Sequence, residues 1–196
     1  MSSVIISGDT SGAITVSAPL VAGTNTLTLL AATATNSVNT LATAVASTSG
    51  TAIDFTSLPN WIKRITVLFQ GTSLSATADY IVQIGSGSLS TSGYQSWGTF
   101  QGSSNVVGNR NSTAGFIAPA STAAYISYGT MTLVLVSNNT WISSACLGIN
   151  NNSGTGFSST AGGVSPVLAG ALDRLRITTT STDTFDLGSV NILYEG

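Results

Sequence analysis

The 196-residue chain reads as all-β: an N-terminal extended arm followed by an antiparallel, jelly-roll-like β-sandwich. Three observations predict this. Val, Ile, Thr and aromatic residues, which suit a pleated and half-buried surface, dominate the patterned segments. Within those segments apolar and polar residues alternate with a period of two, the signature of a strand with one covered face. Between them fall clusters of Gly, Asn, Ser and Pro, spaced as the turns of a sandwich are.

Residues 1–50 read as a docking arm and linker. They contain no aromatic residue, and Asp9 is their only charge. Ala13–Ser17 and Asn25–Leu29 alternate and are expected to be short strands, divided by a turn at Pro19 and Gly23. Ile14, Val16, Leu27 and Leu29 are their apolar positions and the expected docking residues. Strands this short bury no core of their own, so the arm calls for another surface. Residues 31–50 are biased to Ala, Thr, Ser and Asn. Leu41 and Val45 stand four apart, as on a helix, but the hydroxyl content favours extended structure.

Residues 51–196 are expected to form the sandwich. Thr51–Thr56 is a strand and Ser57–Asn60 a turn. Trp61–Gln70 is a strong strand with Ile65, Val67 and Phe69 on one face, and its apolar residues on both faces suggest a central position. Thr77–Gly85 follows, with Tyr80, Val82 and Ile84 aligned. Residues 86–115 are rich in Gly and Ser and predict one or two weak strands joined by long loops. Ala124–Val136 and Trp141–Ile149 form a hairpin around Asn138-Asn139. Residues 150–166 read as a loop. Leu172–Thr179 carries Leu175 and Ile177 inward, the chain reverses near Thr184–Leu187, and Ser189–Glu195 closes the fold with Val190, Ile192 and Tyr194 aligned. Seven to nine strands are expected.

Composition excludes much chemistry. The chain has no His, a single Cys, 6 % charged residues and a net charge of −2. Serines without His lack their usual base, so nucleophilic catalysis is not expected. Asp54 and Asp79 are the only pairing that suggests glycoside cleavage. Asp173, Asp183 and Asp186 lack the spacing of a calcium loop. The expectation is therefore a non-enzyme with no cofactor and no metal. Five cations, scattered, provide no field for nucleic acid. No apolar run approaches the roughly 20 residues that cross a bilayer, so membrane insertion is not expected. Cys146, in the apolar stretch TWISSACLGI, is expected to be a buried, inert thiol. So low a charge protects a monomer poorly against association, which points to assembly with other chains.

Three stretches resemble tailed-bacteriophage virion structural proteins. SGAITVSAPLVAGTNTLTL (11–29) is similar to their opening segment, G-x-I-T-L…P-x-x-A-G-T-N-T-L-T-L-P, although Leu30 stands where that pattern has Pro. GTAIDFTSLPNWIKRITVLFQGTS (50–73) resembles the start of the β-sandwich that follows in such proteins, and FDLGSVNILYEG (185–196) resembles its last strand. The resemblance implies a homo-oligomer, most often a homotrimer, held to other virion proteins by its N-terminal arm and assembled in the host bacterial cytoplasm. The linker is short, which suits a short tail fibre, a tail-associated knob or a capsid decoration protein better than a long fibre.

Tyr94, Trp97 and Phe100 fall within seven residues of a Gly/Ser-rich stretch. Aromatics on loops stack on sugars or anchor a partner, so these three are the candidate contacts for a host-surface glycan. The plainer reading, which aromatic residues favour in general, is that they fill the core or a subunit interface. Trp61 and Trp141, on predicted strands, are expected to pack inside.

Overall fold

A strand turns successive side chains to opposite faces, so each alternating segment should bury one set and present the other. A computed structural model bears this out. It describes Ser3–Ser7, Ala13–Ser17 and residues 39–196, apart from 103–106, 121–122, 124, 152 and 154. No helix occurs among the described residues. The chain divides into two compact units, residues 1–36 and 37–196.

In the first unit, β1 (Ser3–Ser7) and β2 (Ala13–Ser17) form a two-stranded antiparallel sheet. Its register sets Val4 opposite Val16 and Ile6 opposite Ile14. The sequence signalled β2 and missed β1. The expected strand carrying Leu27 and Leu29 lies outside the described residues.

In the second unit, β3 (Thr40–Leu41) and β4 (Val45–Ala46) precede β5 (Ala52–Thr56), β6 (Arg64–Leu74), β7 (Tyr80–Ser86) and β8 (Ser88–Leu89). Then come β9 (Gln95–Gly102), β10 (Val107–Ser112), β11 (Phe116–Ala118), β12 (Ile126–Ser137), β13 (Thr140–Asn150), β14 (Gly156–Val164), β15 (Arg174–Thr179) and β16 (Phe185–Glu195). They form two antiparallel sheets. The large sheet runs β10-β9-β14-β13-β12-β6-β16-β3, with β4 also on β16, and the small one runs β11-β7-β15-β5, with β8 on β7. Leu41 and Val45 are extended and belong to this edge, opposite Leu193 and Val190.

The two sheets close on one core. Ile65, Val67 and Phe69 of β6, Met131 and Leu133 of β12, Leu147 and Ile149 of β13, and Val190 and Ile192 of β16 are buried. They meet Ile53 and Phe55 of β5, Tyr80, Val82 and Ile84 of β7, and Leu175 and Ile177 of β15 in a single cluster. The Tyr80 ring bridges the layers, 5.3 Å from Phe69 and 6.1 Å from Phe185 between centroids. As predicted, β6 is central, between β12 and β16.

Two local devices hold this register. Asn138 and Asn139 both take positive φ, 48° and 59°, the pairing a two-residue hairpin turn of the right twist requires. In β6 and β16 the ladder shifts at Gly71 and Gly188, with φ of 66° and 87°. A Cβ on Gly188 would stand 2.2 Å from the Gly71 carbonyl oxygen, so only glycine lets the two strands make this bulge.

Several expectations need correction. Residues 150–166 are not all loop: β14 runs for nine residues there, between β13 and β9. The weak strands of 86–115 include β9, a full member of the large sheet. Trp61 precedes β6 and lies outside the strand, packing on Tyr194 at 5.7 Å. The reversal near Thr184–Leu187 falls earlier, since β16 already begins at Phe185. Fourteen strands occur among the described residues of this unit, more than the seven to nine expected.

Leu133 is fully buried where β12 meets the opposite sheet. Leu133→Ala is expected to lower unfolding free energy by about 2–5 kcal/mol in urea titration. A loss under about 1 kcal/mol would mean that this position does not face a packed core.

Candidate binding face of the large sheet

The pleat separates the three candidate aromatics. Tyr94 is 1 % exposed, and its hydroxyl accepts from Ile84 N at 2.9 Å and donates to Ile84 O at 3.3 Å. Its ring meets Phe116 edge-on at 5.1 Å, and burial pushes its hydroxyl up to about 12. Tyr94 is core. Phe100 is half-buried against Phe157 at 5.9 Å, with the Arg110 guanidinium 5.0 Å above its ring. Only Trp97 turns outward, 61 % exposed. Its neighbour fixes it: the buried Ser96 hydroxyl accepts from Ile117 N at 2.9 Å and donates to Gly162 O at 3.3 Å, tying β9 to β11 and β14.

Register places Trp97 on a broad outer face. One cross-strand row runs Asn111, Trp97, Gly162, Ser144, Thr132, Thr66, Leu193. The next runs Asn109, Thr99, Thr160, Cys146, Thr130, Leu68, Asn191. The third runs Gln101, Ser158, Gly148, Tyr128, Gln70, Ser189. None of the three contains a charged residue. Below the Trp97 row, Val164, Ile142 and Val134 form an apolar strip that ends at the Arg64–Glu195 pair.

Two shallow depressions open on this face. One, about 430 Å³, has Trp97 beside Thr99, Asn109, Thr160 and Gly162, with Arg110 also at its wall. The other, about 580 Å³, has Tyr128, 46 % exposed, beside Gln101, Ser158 and Gly148. In each, a glycine sits directly across the ladder from the aromatic: Gly162 from Trp97, Gly148 from Tyr128. Cross-strand aromatics often lie over such a glycine to cover it. Here neither ring covers the glycine opposite it; the Tyr128 ring lies instead over Gly71 of β6, 3.5 Å from where a Cβ would stand. The nearest atom to a Cβ built on Gly162 is Ser143 O at 3.4 Å, and on Gly148 it is Tyr128 O at 3.9 Å. Among the described residues no contact demands glycine at either position, and both leave open floor beside an aromatic wall. Gly98, on the inner face, is the contrast: its Cβ would meet Pro119 Cγ at 2.6 Å and Ala161 Cβ at 2.9 Å.

Charge has been gathered elsewhere. Arg176 grips Asp54 with two bonds of 2.7 Å, Arg174 holds Asp173, Arg110 holds Asp79 at 3.0 Å, and Arg64 holds Glu195. Arg176 lowers the Asp54 carboxyl below its usual value, and Arg174 does the same for Asp173. Asp54 and Asp79, the pair weighed for glycoside cleavage, are thus each engaged by a different guanidinium. Among the described residues no three His, Cys, Asp or Glu cluster as metal ligands. Cys146 is exposed in the middle row, against the expectation of a buried thiol. In this stretch Trp141, Ala145, Leu147 and Ile149 face in, whereas Cys146, like Ile142, faces out.

The sequence pointed to Trp97 and missed Tyr128, Gly148 and Gly162. The signal was present: glycines inside segments flanked by alternating residues often mark a close approach. Reading 150–166 as loop hid it. In comparisons with known proteins, no family model, no curated protein and no solved structure matches the chain.

Gly162→Ala is expected to leave the thermal midpoint unchanged or raise it, while Gly98→Ala should destabilise by about 1–3 kcal/mol. Equal losses for both would show that the outer floor is not open. Asp79 gives a pH test. Burial, the largest influence, raises its carboxyl above 3.8 despite Arg110 and the bond from Ala120 N. A raised acid contributes stability that is full at low pH and is lost as pH rises through the folded value. Asp79→Asn should remove that falling limb from the thermal midpoint above pH 3.8. An unchanged limb in the variant would assign it to another group.

Proposed function

We propose that the chain is a structural protein of a tailed-bacteriophage virion, a short tail fibre or tail-associated knob that acts by assembly and host-surface binding. The resemblance of residues 11–29, 50–73 and 185–196 to such proteins supports this reading. The observation that carries it is the two-part build: a β-sandwich preceded by a separate unit whose β1–β2 sheet has only two five-residue strands. A two-stranded sheet is marginal alone, so a neighbouring surface is what would complete it. In this reading the arm docks on other virion proteins, the chain assembles as a homotrimer, and the sandwich projects toward the host. Function is binding, with no reaction catalysed and no cofactor required.

Gold-labelled antibody against residues 51–196, imaged on purified virions, tests the reading. Label confined to the tail is expected. Label spread over the head would replace it with capsid decoration, and unlabelled virions would overturn it. Val16→Asp in the full chain should abolish incorporation into particles while the sandwich keeps its thermal midpoint. Normal incorporation of that variant would show that β2 is not part of the docking contact.

A further inference from the structure

We infer that the outer face of the large sheet binds a neutral oligosaccharide, with one ring on Trp97 over Gly162 and a second on Tyr128 beside Gly148. This rests on the host-surface reading above and gives that surface a ligand class.

The chemistry of the face selects the ligand. An indole 61 % exposed on a rigid strand offers a flat apolar plate, which suits the C–H face of a pyranose. Around it stand side chains that both donate and accept, the amides of Asn109, Asn111 and Gln101 and the hydroxyls of Thr99 and Thr160, as sugar hydroxyls require. Thr99 and Thr160 already share a hydrogen bond of 3.3 Å, which orders that edge. The three rows carry no charge, and Arg110, which also lines the Trp97 depression, is already matched by Asp79 at 3.0 Å, so the site favours a neutral ligand over phosphate, sulfate or carboxylate. A protein partner would favour an apolar, desolvated centre. Here the apolar strip of Val134, Ile142 and Val164 lies to one side, and the field between the two aromatics is hydroxyl and amide.

The glycines are the second observation. A strand interior is weakened by glycine, and at these two positions no neighbour among the described residues excludes a side chain. A ring laid beside Trp97 or Tyr128 would. The two sites lie four residues apart along the strands and three strands apart across them, roughly 20 Å by strand geometry. One pyranose cannot span that distance, so the ligand is a chain of sugars. Both walls stand on paired strands, so little ordering is needed on binding.

The test uses the full chain with maltohexaose, cellohexaose, mannohexaose and chitohexaose as probes, followed by Trp emission and acrylamide quenching. Trp141 is buried, which leaves Trp97 the most exposed indole and the main reporter. At least one hexasaccharide should shift emission to the blue and shield it from quencher. By calorimetry, Trp97→Ala and Gly162→Val should each weaken that probe about tenfold or more, the latter with an unchanged thermal midpoint. Tyr128→Ala should abolish the advantage of the hexasaccharide over its disaccharide. No response to any probe overturns the inference, as does binding that survives both Trp97→Ala and Gly162→Val. Sedimentation showing that Trp97→Ala dissolves an oligomer would make this face a subunit contact and overturn it too. Label on the tail with no sugar bound would defeat this inference alone, whereas sugar bound by a chain absent from virions would defeat the virion reading.

Discussion

The pleat of the large sheet is the constraint on which the rest depends. One register buries Ile65, Val67, Met131, Leu133, Val190 and Ile192 and, by the same act, presents Thr66, Leu68, Thr130, Thr132 and Asn191 on the other side. A slip of one residue would exchange the two sets and place hydroxyls and amides against the small sheet. The core therefore fixes the outer face as firmly as it fixes itself. The positive-φ asparagines of the β12–β13 turn and the paired glycines of β6 and β16 are where the chain enforces that choice.

How much of this was legible follows from what each strand packs against. β6, β12, β13 and β15 face the thick centre of the sandwich, so their inner positions are Ile, Val, Leu, Met and Trp and the alternation is plain. β9 and β14 pass close to β11. Their inner positions include Ser96, Gly98, Ser159 and Ala161, because Pro119 leaves no room for more at Gly98. With the apolar half of the pattern reduced to small residues, a nine-residue strand looks like a loop. The same closeness explains why the site was only half visible. Trp97 announces itself, whereas its floor belongs to β14, and Tyr128 had nothing to distinguish it from Tyr125, just before β12.

The scarcity of charge also has a spatial meaning. Four of the five cations are matched by carboxylates beside them, on the small sheet, at the sandwich end near Phe100, or at the strip beyond Val134. Such exposed pairs stabilise weakly and mainly cancel each other's field. What remains is a wide sheet face that is polar, uncharged and flanked by two aromatics. Such a surface offers flat rings for stacking and hydroxyls and amides for hydrogen bonding. The sequence's wealth of Ser, Thr and Asn is thus laid out as rows of hydroxyls and amides on this face.

Cys146 is a built-in probe of this register. Its thiol lies in the middle row of the outer face, between Thr160 and Thr130, and is the only one in the chain. Reaction of the native full-length protein with a chromogenic aromatic disulfide counts accessible thiols without denaturant. One thiol per chain is expected to react completely while the protein stays folded. A thiol that stays silent until the protein unfolds would contradict it, since β13 would then be turned by one residue or the face would be covered by another chain.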